Sequence, residues 1–343
     1  MFKYNDIENV HLEISSRCNA SCPECPRNLR GGDIEDHGDY VVHDMTLAEA
    51  QKIFPPEFLT QIKNININGN HGDFITCRDG LKIVNYFANT NPDLNIEIST
   101  NASGQPKIWE PLARIPQLRT VKFRLDGLQD THQLYRQYTD FDLIISNAKR
   151  FISAGGNATW AMIKFDFNLH QIEAAKQMSI VLGFKHFELI DHGRNNTVVF
   201  NREGVYTHSI GTPDPDIRDY SSILETRQWL REHGEHDLVF QRTRYDKTES
   251  FKKITCKVKK PAAIYVQSNG EVFPCCWLGN APRTNKIPLG VEQTRNIMGN
   301  NNALGVGIEA AIKWFWELEK TWAIDTVQNG KNYMCNVTCG SNE

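Results

Sequence analysis

Val10-His-Leu-Glu-Ile14-Ser-Ser-Arg-Cys18-Asn-Ala-Ser-Cys22-Pro-Glu-Cys25-Pro-Arg-Asn28 is the stretch on which the fold turns. Val10–Ile14 predicts a short strand. Directly after it, three thiols fall within eight residues. Thiolates so closely spaced can converge on one metal centre if the loop wraps around it, and iron–sulfur clusters are held by cysteine runs of this kind. Three ligands would leave one iron of a four-iron cube open, as a catalytic zinc keeps a free position. The competing reading is a structural zinc site. Such sites take four ligands, and only His11 and His37 lie near enough in sequence to supply a fourth.

Outward from that stretch, short β-branched runs recur at Ile62–Asn68, Leu94–Ser99, Thr120–Leu125, Thr159–Phe165 and His186–Ile190. Between them the spacing predicts helices over Thr46–Phe54, Gly80–Asn89, Ile108–Ile115, Phe141–Ala154 and Leu169–Leu182. Thr46-Leu-Ala-Glu49 has capping-box form, and Gly183 stands where a helix C′ residue belongs. Strands alternating with helices predict a parallel sheet of βα units, either an open barrel or a doubly wound sheet. Both place ligands at the C-terminal ends of the strands.

The remainder of the 343 residues reads differently. Asp191 to Ser250 is polar, with one helix expected at Ile217–His233. A second module is expected from Phe251: a hairpin of Ala262–Gln267 and Glu271–Phe273 around Asn269-Gly270, then a helix at Glu309–Trp322. The predicted division is therefore 1–250 and 251–343. A length prior of roughly 150 residues per domain agrees with two units or one large barrel.

Composition narrows the classes. Hydrophobic residues make up 40% and charged ones 23%, which is ordinary for a globular core. A formal net charge of −3 gives no bias toward nucleic acid or anionic membrane, so an RNA substrate is neither supported nor excluded. There is no basic-then-apolar leader at the N-terminus and no run near the roughly 20 apolar residues that span a bilayer. These features predict a soluble cytoplasmic protein. In a reducing compartment, nine clustered cysteines read as metal ligands before they read as disulfides.

Cys18-x3-Cys22-x2-Cys25 after a first strand resembles the signature of the radical S-adenosylmethionine (radical SAM) superfamily. The resemblance implies an α/β fold, a partial (β/α)6 TIM-like barrel. It also implies a [4Fe–4S] cluster on the three thiolates, with the amino and carboxylate groups of SAM on the open iron. In that family an electron cleaves SAM to methionine and a 5′-deoxyadenosyl radical, which abstracts a hydrogen atom from substrate. Gly69-Asn70-His71-Gly72-Asp73 follows the second strand, where the family has the glycine-rich motif that holds the SAM amino group, though it departs from the common Gly-Gly-Glu form. Ser99-Thr100-Asn101 resembles the segment that contacts the SAM ribose and carboxylate. Asp126-Gly127 with Arg136 resembles the Asp-Gly…Arg element of the peptide-modifying branch, where the arginine fork pairs with the SAM carboxylate.

The C-terminal cysteines extend the resemblance. Cys256, Gly270-x4-Cys275 and the Cys335/Cys339 pair resemble the half-length SPASM module called a twitch domain, a small α+β cap with a β-hairpin. It implies a second, auxiliary [4Fe–4S] cluster on Cys256, Cys275, Cys335 and Cys339. Cys276 is a surplus thiol, and sequence leaves open whether it or Cys275 is the ligand. Four thiolates also suit a structural zinc.

The function implied is radical hydrogen abstraction from a small polar metabolite or a peptide. The auxiliary cluster would accept a second electron, making the net reaction an oxidation. Redox-neutral epimerisation, C–C bond formation and a non-enzymatic iron–sulfur or zinc protein are the alternatives. Lys252, Lys253, Lys257, Lys259 and Lys260 around Cys256 read as a solvated face, or as a surface steering an acidic flavodoxin- or ferredoxin-like electron donor. Cys77 reads as a buried small side chain, and Trp314-Phe315-Trp316 with Trp322 as core packing. Asp191-His192 falls where a substrate contact on the rim would sit, and a surface histidine is the plainer reading.

Overall fold

The computed structural model describes residues 1–28, 30–32, 42–191, 197–211, 252–284 and 288–341. The expected helix at Ile217–His233, the division near residue 250, His37 and His192 lie outside the described residues.

Six parallel strands carry the fold: β1 (Asn9–Leu12), β2 (Asn64–Ile67), β3 (Asn95–Thr100), β4 (Leu118–Arg124), β5 (Ala158–Ile163) and β6 (His186–Ile190). They lie side by side in chain order, each of the six runs expected from sequence. The helices between them include Leu47–Ile53, Gly80–Thr90, Trp109–Ala113, Phe141–Ser153 and Ile172–Val181. This is an α/β partial barrel.

Periodicity explains the packing. In β2, Ile65 and Ile67 are buried while Asn64 and Asn66 are exposed, so one face of the sheet is covered and the other open. Helix Gly80–Thr90 buries Ile83, Val84, Phe87 and Ala88 on one side. Thr46 caps Leu47–Ile53 and Glu49 returns the bond, completing the capping box. Gly183 ends Ile172–Val181 at φ +86°. Its N–H donates to the Ile180 carbonyl, and that of Phe184 to Ser179, the two bonds of a Schellman stop.

Three features depart from the sequence reading. First, the C-terminal hairpin of β10 (Ala263–Val266) and β11 (Val272–Phe273) extends the barrel sheet, because β10 runs parallel to β1 and bonds to it. Second, the stretch after β6 contains an antiparallel ribbon, β7 (Thr197–Phe200) with β8 (Tyr206–Ile210). Third, the single helix expected over Glu309–Trp322 is interrupted: Ala303–Ala311, itself kinked at Gly307 (φ +75°), is followed by a turn at 312–314 and then by Phe315–Lys320. Trp314 and Phe315 face the core, as expected, and Trp314 meets Phe273 edge-on at 6.0 Å. Trp316 is exposed. Cys77 is buried, as expected, and burial pushes its thiol up to about 12.

Candidate functional site

The loop from Ser16 to Asn28 sits at the C-terminal ends of the strands. Cys25 N–H donates to the Cys22 carbonyl and Asn28 N–H to the Cys25 carbonyl, so the loop winds in successive tight turns around its cysteines. Each sulfur meets a group from a segment that follows a different strand. Asn101 Nδ2, after β3, is 3.5 Å from Cys18 Sγ. Arg136 Nη1, after β4, is 3.6 Å from Cys22 Sγ. The Asn70 carbonyl, after β2, is 3.8 Å from Cys25 Sγ. Three residues singled out from sequence as cofactor contacts thus ring the three thiols.

The other predicted contacts support this ring. Asp73 is half-buried and accepts from Thr100 Oγ1 (2.5 Å), Asn101 N–H (2.8 Å) and Ile75 N–H (3.2 Å), which locks the glycine loop to the end of β3. Asp126 is fully buried and accepts from Arg136 Nε (2.5 Å) and Ile163 N–H (2.6 Å), holding the guanidinium toward Cys22. Ser99 Oγ accepts from Arg124 Nε at 2.9 Å. The glycines serve backbone approach. A Cβ on Gly72 would lie 1.8 Å from the Ser15 carbonyl oxygen, and one on Gly69 would lie 2.5 Å from that of Gly72.

Two parts of the site were not read from sequence. One is Glu13, whose buried carboxylate accepts from the N–H groups of Asn70 (2.5 Å) and His71 (3.1 Å) and from the Tyr265 hydroxyl (2.9 Å). A single acidic residue on a strand carries no signal that it will be buried. The other is the β7–β8 ribbon. Val199 and Ile210 pack with Cys22, Tyr135 and Phe165, and Arg202 donates to the Asn19 carbonyl (2.5 Å) and Ser21 Oγ (3.2 Å). The β-branched run Thr197–Val199 and the turn glycine Gly204 were the available clue.

Burial pushes the thiols of Cys18 and Cys22 up, the nearby Asp73 charge adding at Cys18 and Arg136 opposing at Cys22. Each also feels the charge of a neighbouring cysteine, so the sulfurs lie within electrostatic reach of one another. Zinc at 2.3 Å from each sulfur would draw its ligands close together. Among the described residues, no three or more His, Cys, Asp or Glu side chains are arranged to hold one such ion. A four-iron cube is wider than a single ion, and its thiolate ligands stand farther apart. One buried and two half-buried thiols, with the Asn101 amide and the Arg136 guanidinium donating to two of them, suit the thiolates of such a cube.

The second cysteine set lies around helices Cys276–Thr284 and Tyr333–Cys339 and the short antiparallel pair β9 (Lys253–Ile254) with β12 (Gly340–Ser341). Cys256, Cys275, Cys335 and Cys339 line one small cavity, with Trp277 and Trp322 on its wall. Cys276, the next residue in the chain, does not line it. Burial pushes Cys275 up to about 12, and Cys335 rises for the same reason with the Cys275 charge adding. Of the five lysines expected on a solvated face, Lys253, Lys257, Lys259 and Lys260 are exposed beside Cys256 and Lys252 is buried, and Lys259 pairs with Glu319. On the barrel rim, Asp191 pairs with Lys164 at 2.5 Å. Among the described residues no helix is long and apolar enough to cross a membrane.

No protein-family model matches the chain, and no curated protein matches it. Its fold is shared with solved structures. SuiB of Streptococcus suis is 16% identical at a TM-score of 0.50, the match covering 80% of this chain and 62% of SuiB. SuiB bound to its precursor peptide SuiA gives 15% and 0.50, over 82% of this chain and 61% of that one. BtrN in complex with AdoMet and 2-DOIA gives 13% and 0.45, over 98% and 94%. The chain spans about three fifths of the length of SuiB, and the likeness is one of fold.

Proposed function

We propose that this chain is a radical SAM enzyme whose Cys18, Cys22 and Cys25 hold a [4Fe–4S] cluster that binds SAM. The observation that carries the reading is the ring of Asn70, Asn101 and Arg136, each within 3.8 Å of a different cysteine sulfur. With cluster and cofactor bound, the chemistry supplied is reductive cleavage of SAM to methionine and a 5′-deoxyadenosyl radical, which takes a hydrogen atom from substrate.

The chain's own residues perform the positioning. Arg136, held by Asp126, offers its remaining guanidinium N–H groups to a carboxylate at the site. The hydroxyl of Ser99 and the amide of Asn101 suit a ribose or carboxylate. Gly69 and Gly72 keep the loop low against Ser15, leaving room above it for a ligand. The ribbon packed on Cys22 restricts water at that side of the loop.

The second set forms a twitch-like module over residues 251–343 that holds an auxiliary [4Fe–4S] cluster on Cys256, Cys275, Cys335 and Cys339. Four thiols facing one cavity support closed coordination, which suits electron transfer more than substrate binding. The net reaction is a two-electron oxidation of a small polar metabolite or a peptide in the cytoplasm. SuiB, with the same fold, has been solved with a precursor peptide, which keeps a peptide within the proposal. The exposed lysines beside Cys256 supply the attraction for an acidic flavodoxin- or ferredoxin-like donor. The test is anaerobic reconstitution followed by reduction in the presence of SAM. Formation of 5′-deoxyadenosine is expected, and its absence with both clusters spectroscopically intact would falsify the reading.

A further inference from the structure

One residue joins the two cysteine regions. The Asn70 carbonyl lies 3.8 Å from Cys25 Sγ, and its backbone N–H donates to buried Glu13 at 2.5 Å. Its side-chain amide donates to the Cys276 carbonyl at 2.8 Å. Cys276 is peptide-bonded to Cys275, which faces the C-terminal cavity. The Cys276 end is itself held down. Gln267 Nε2 donates to the Gly279 carbonyl at 2.6 Å, and a Cβ on Gly279 would lie 2.5 Å from the Tyr265 ring. The hydroxyl of that same Tyr265 donates to Glu13 at 2.9 Å. Glu13 therefore fixes the Asn70 backbone while Asn70 grips the start of the second site, a short strut with both ends buried or bonded.

We infer that Asn70 is a positioning residue that couples the two sites: the placement of the Cys275–Cys276 segment sets the placement of the Cys25 turn, and the reverse. The inference deepens the reading of Cys18, Cys22 and Cys25 as cluster ligands and rests on it. Coupling of this kind is reciprocal, so a change at either end is felt at the other by the same factor. Asn70→Asp is the sharp variant. It keeps size and the backbone bonds, but a carboxylate cannot donate to the Cys276 carbonyl and sets like partial charges against each other.

The test uses the full chain in two states. In the metal-free protein, alkylation of individual thiols is followed by mass spectrometry. Asn70→Asp is expected to speed labelling of both Cys25 and Cys275 by about three- to tenfold, the scale one lost hydrogen bond allows, with Cys18 unchanged. In the reconstituted protein, SAM affinity is read from the electron paramagnetic resonance signal of the first cluster. Cys339→Ala is expected to weaken SAM binding about tenfold in the parent chain, as loss of an outer partner does, and to have no further effect once Asn70 is Asp. Labelling that rises at Cys25 alone, or Cys339→Ala effects that are equal in both backgrounds, would overturn the coupling. Should no SAM-responsive cluster form at all, the functional reading falls, and the labelling result alone decides whether Asn70 joins the two ends.

Discussion

The two cysteine sets are built on opposite principles. Around Cys18, Cys22 and Cys25 the neighbours are polar groups delivered by the segments that follow β2, β3 and β4, each segment contributing one. Around Cys256, Cys275, Cys335 and Cys339 the neighbours are Leu278, Leu318, Trp322 and Met334, so the four thiols share their cavity with apolar walls. A site that must take a charged ligand needs hydrogen-bonding groups with free capacity, and parallel strand ends supply them. A centre that only stores or passes charge is served by apolar walls, which keep water out and hold its ligands rigid. Three thiols in a polar ring and four in an apolar cavity are the two solutions, and Asn70 touches both.

The widest contrast is in cysteine replacement. Cys18→Ala, Cys22→Ala or Cys25→Ala is expected to abolish 5′-deoxyadenosine formation outright. Cys275→Ala or Cys339→Ala should remove about half of the bound iron, since one cluster is proposed on each set, while 5′-deoxyadenosine still forms. Cys276→Ala should keep the full iron content, because that thiol lies outside the cavity. Iron and sulfide assays with product chromatography decide all three. Loss of iron on Cys276→Ala would reverse the assignment of the fourth ligand.

Next in size is the buried pair behind Cys22. Asp126 is fully buried and the Arg136 side chain is 16% exposed, the two 2.5 Å apart. Breaking such a pair by removing one partner leaves a buried charge uncompensated and costs about 3–5 kcal/mol. Asp126→Asn should therefore lower the urea stability of the metal-free chain by that amount. The C-terminal set has thiols where this site has an ion pair, so Cys339→Ala should cost far less. Equal losses would erase the contrast in polarity.

Acid should also act on the first region. His132 Nδ1 accepts from the Asp126 N–H at 3.1 Å, so the ring proton is on Nε2, 3.0 Å from Thr139 Oγ1. Burial holds the imidazole down at about 4, well below its usual value. The unfolded chain binds a proton near pH 6.5 that the folded chain refuses until about pH 4. Stability is thus complete above that upper value and falls as pH drops through the window, by about 2 kcal/mol between pH 7 and pH 5. His132→Asn, whose side-chain oxygen can still accept from Asp126, should flatten this dependence in denaturation measured at the two pH values.

The six strands were legible because β-branched runs are local signals, and Thr46, Glu49 and Gly183 marked their helix ends by chemistry that is also local. The Cys18, Cys22 and Cys25 spacing was legible for the same reason. What stayed hidden depends on chain segments meeting. Glu13 looks like any strand carboxylate until Tyr265, more than two hundred residues away, closes over it. Cys275 and Cys276 are equivalent in sequence, and only the direction of the helix that begins there separates them. The break at 312–314 was masked because apolar residues continue across it, serving a turn between two helices as well as they would serve one.

The smallest effect falls on the C-terminal region and runs in the favourable direction. Gly305 lies in the helical turn between its Asn302 cap and the kink at Gly307, and a Cβ there would meet nothing within 4 Å. Glycine in a helix forfeits backbone entropy relative to alanine, so Gly305→Ala should stabilise the chain by about 0.5–1 kcal/mol. The same substitution at Gly72 has no such freedom, because its Cβ would lie 1.8 Å from the Ser15 carbonyl oxygen. Thermal melts of the metal-free protein read both. If Gly305→Ala destabilises, the folded chain uses a backbone conformation at Gly305 that alanine does not readily adopt, and this turn would then depend on glycine as the Gly72 loop does.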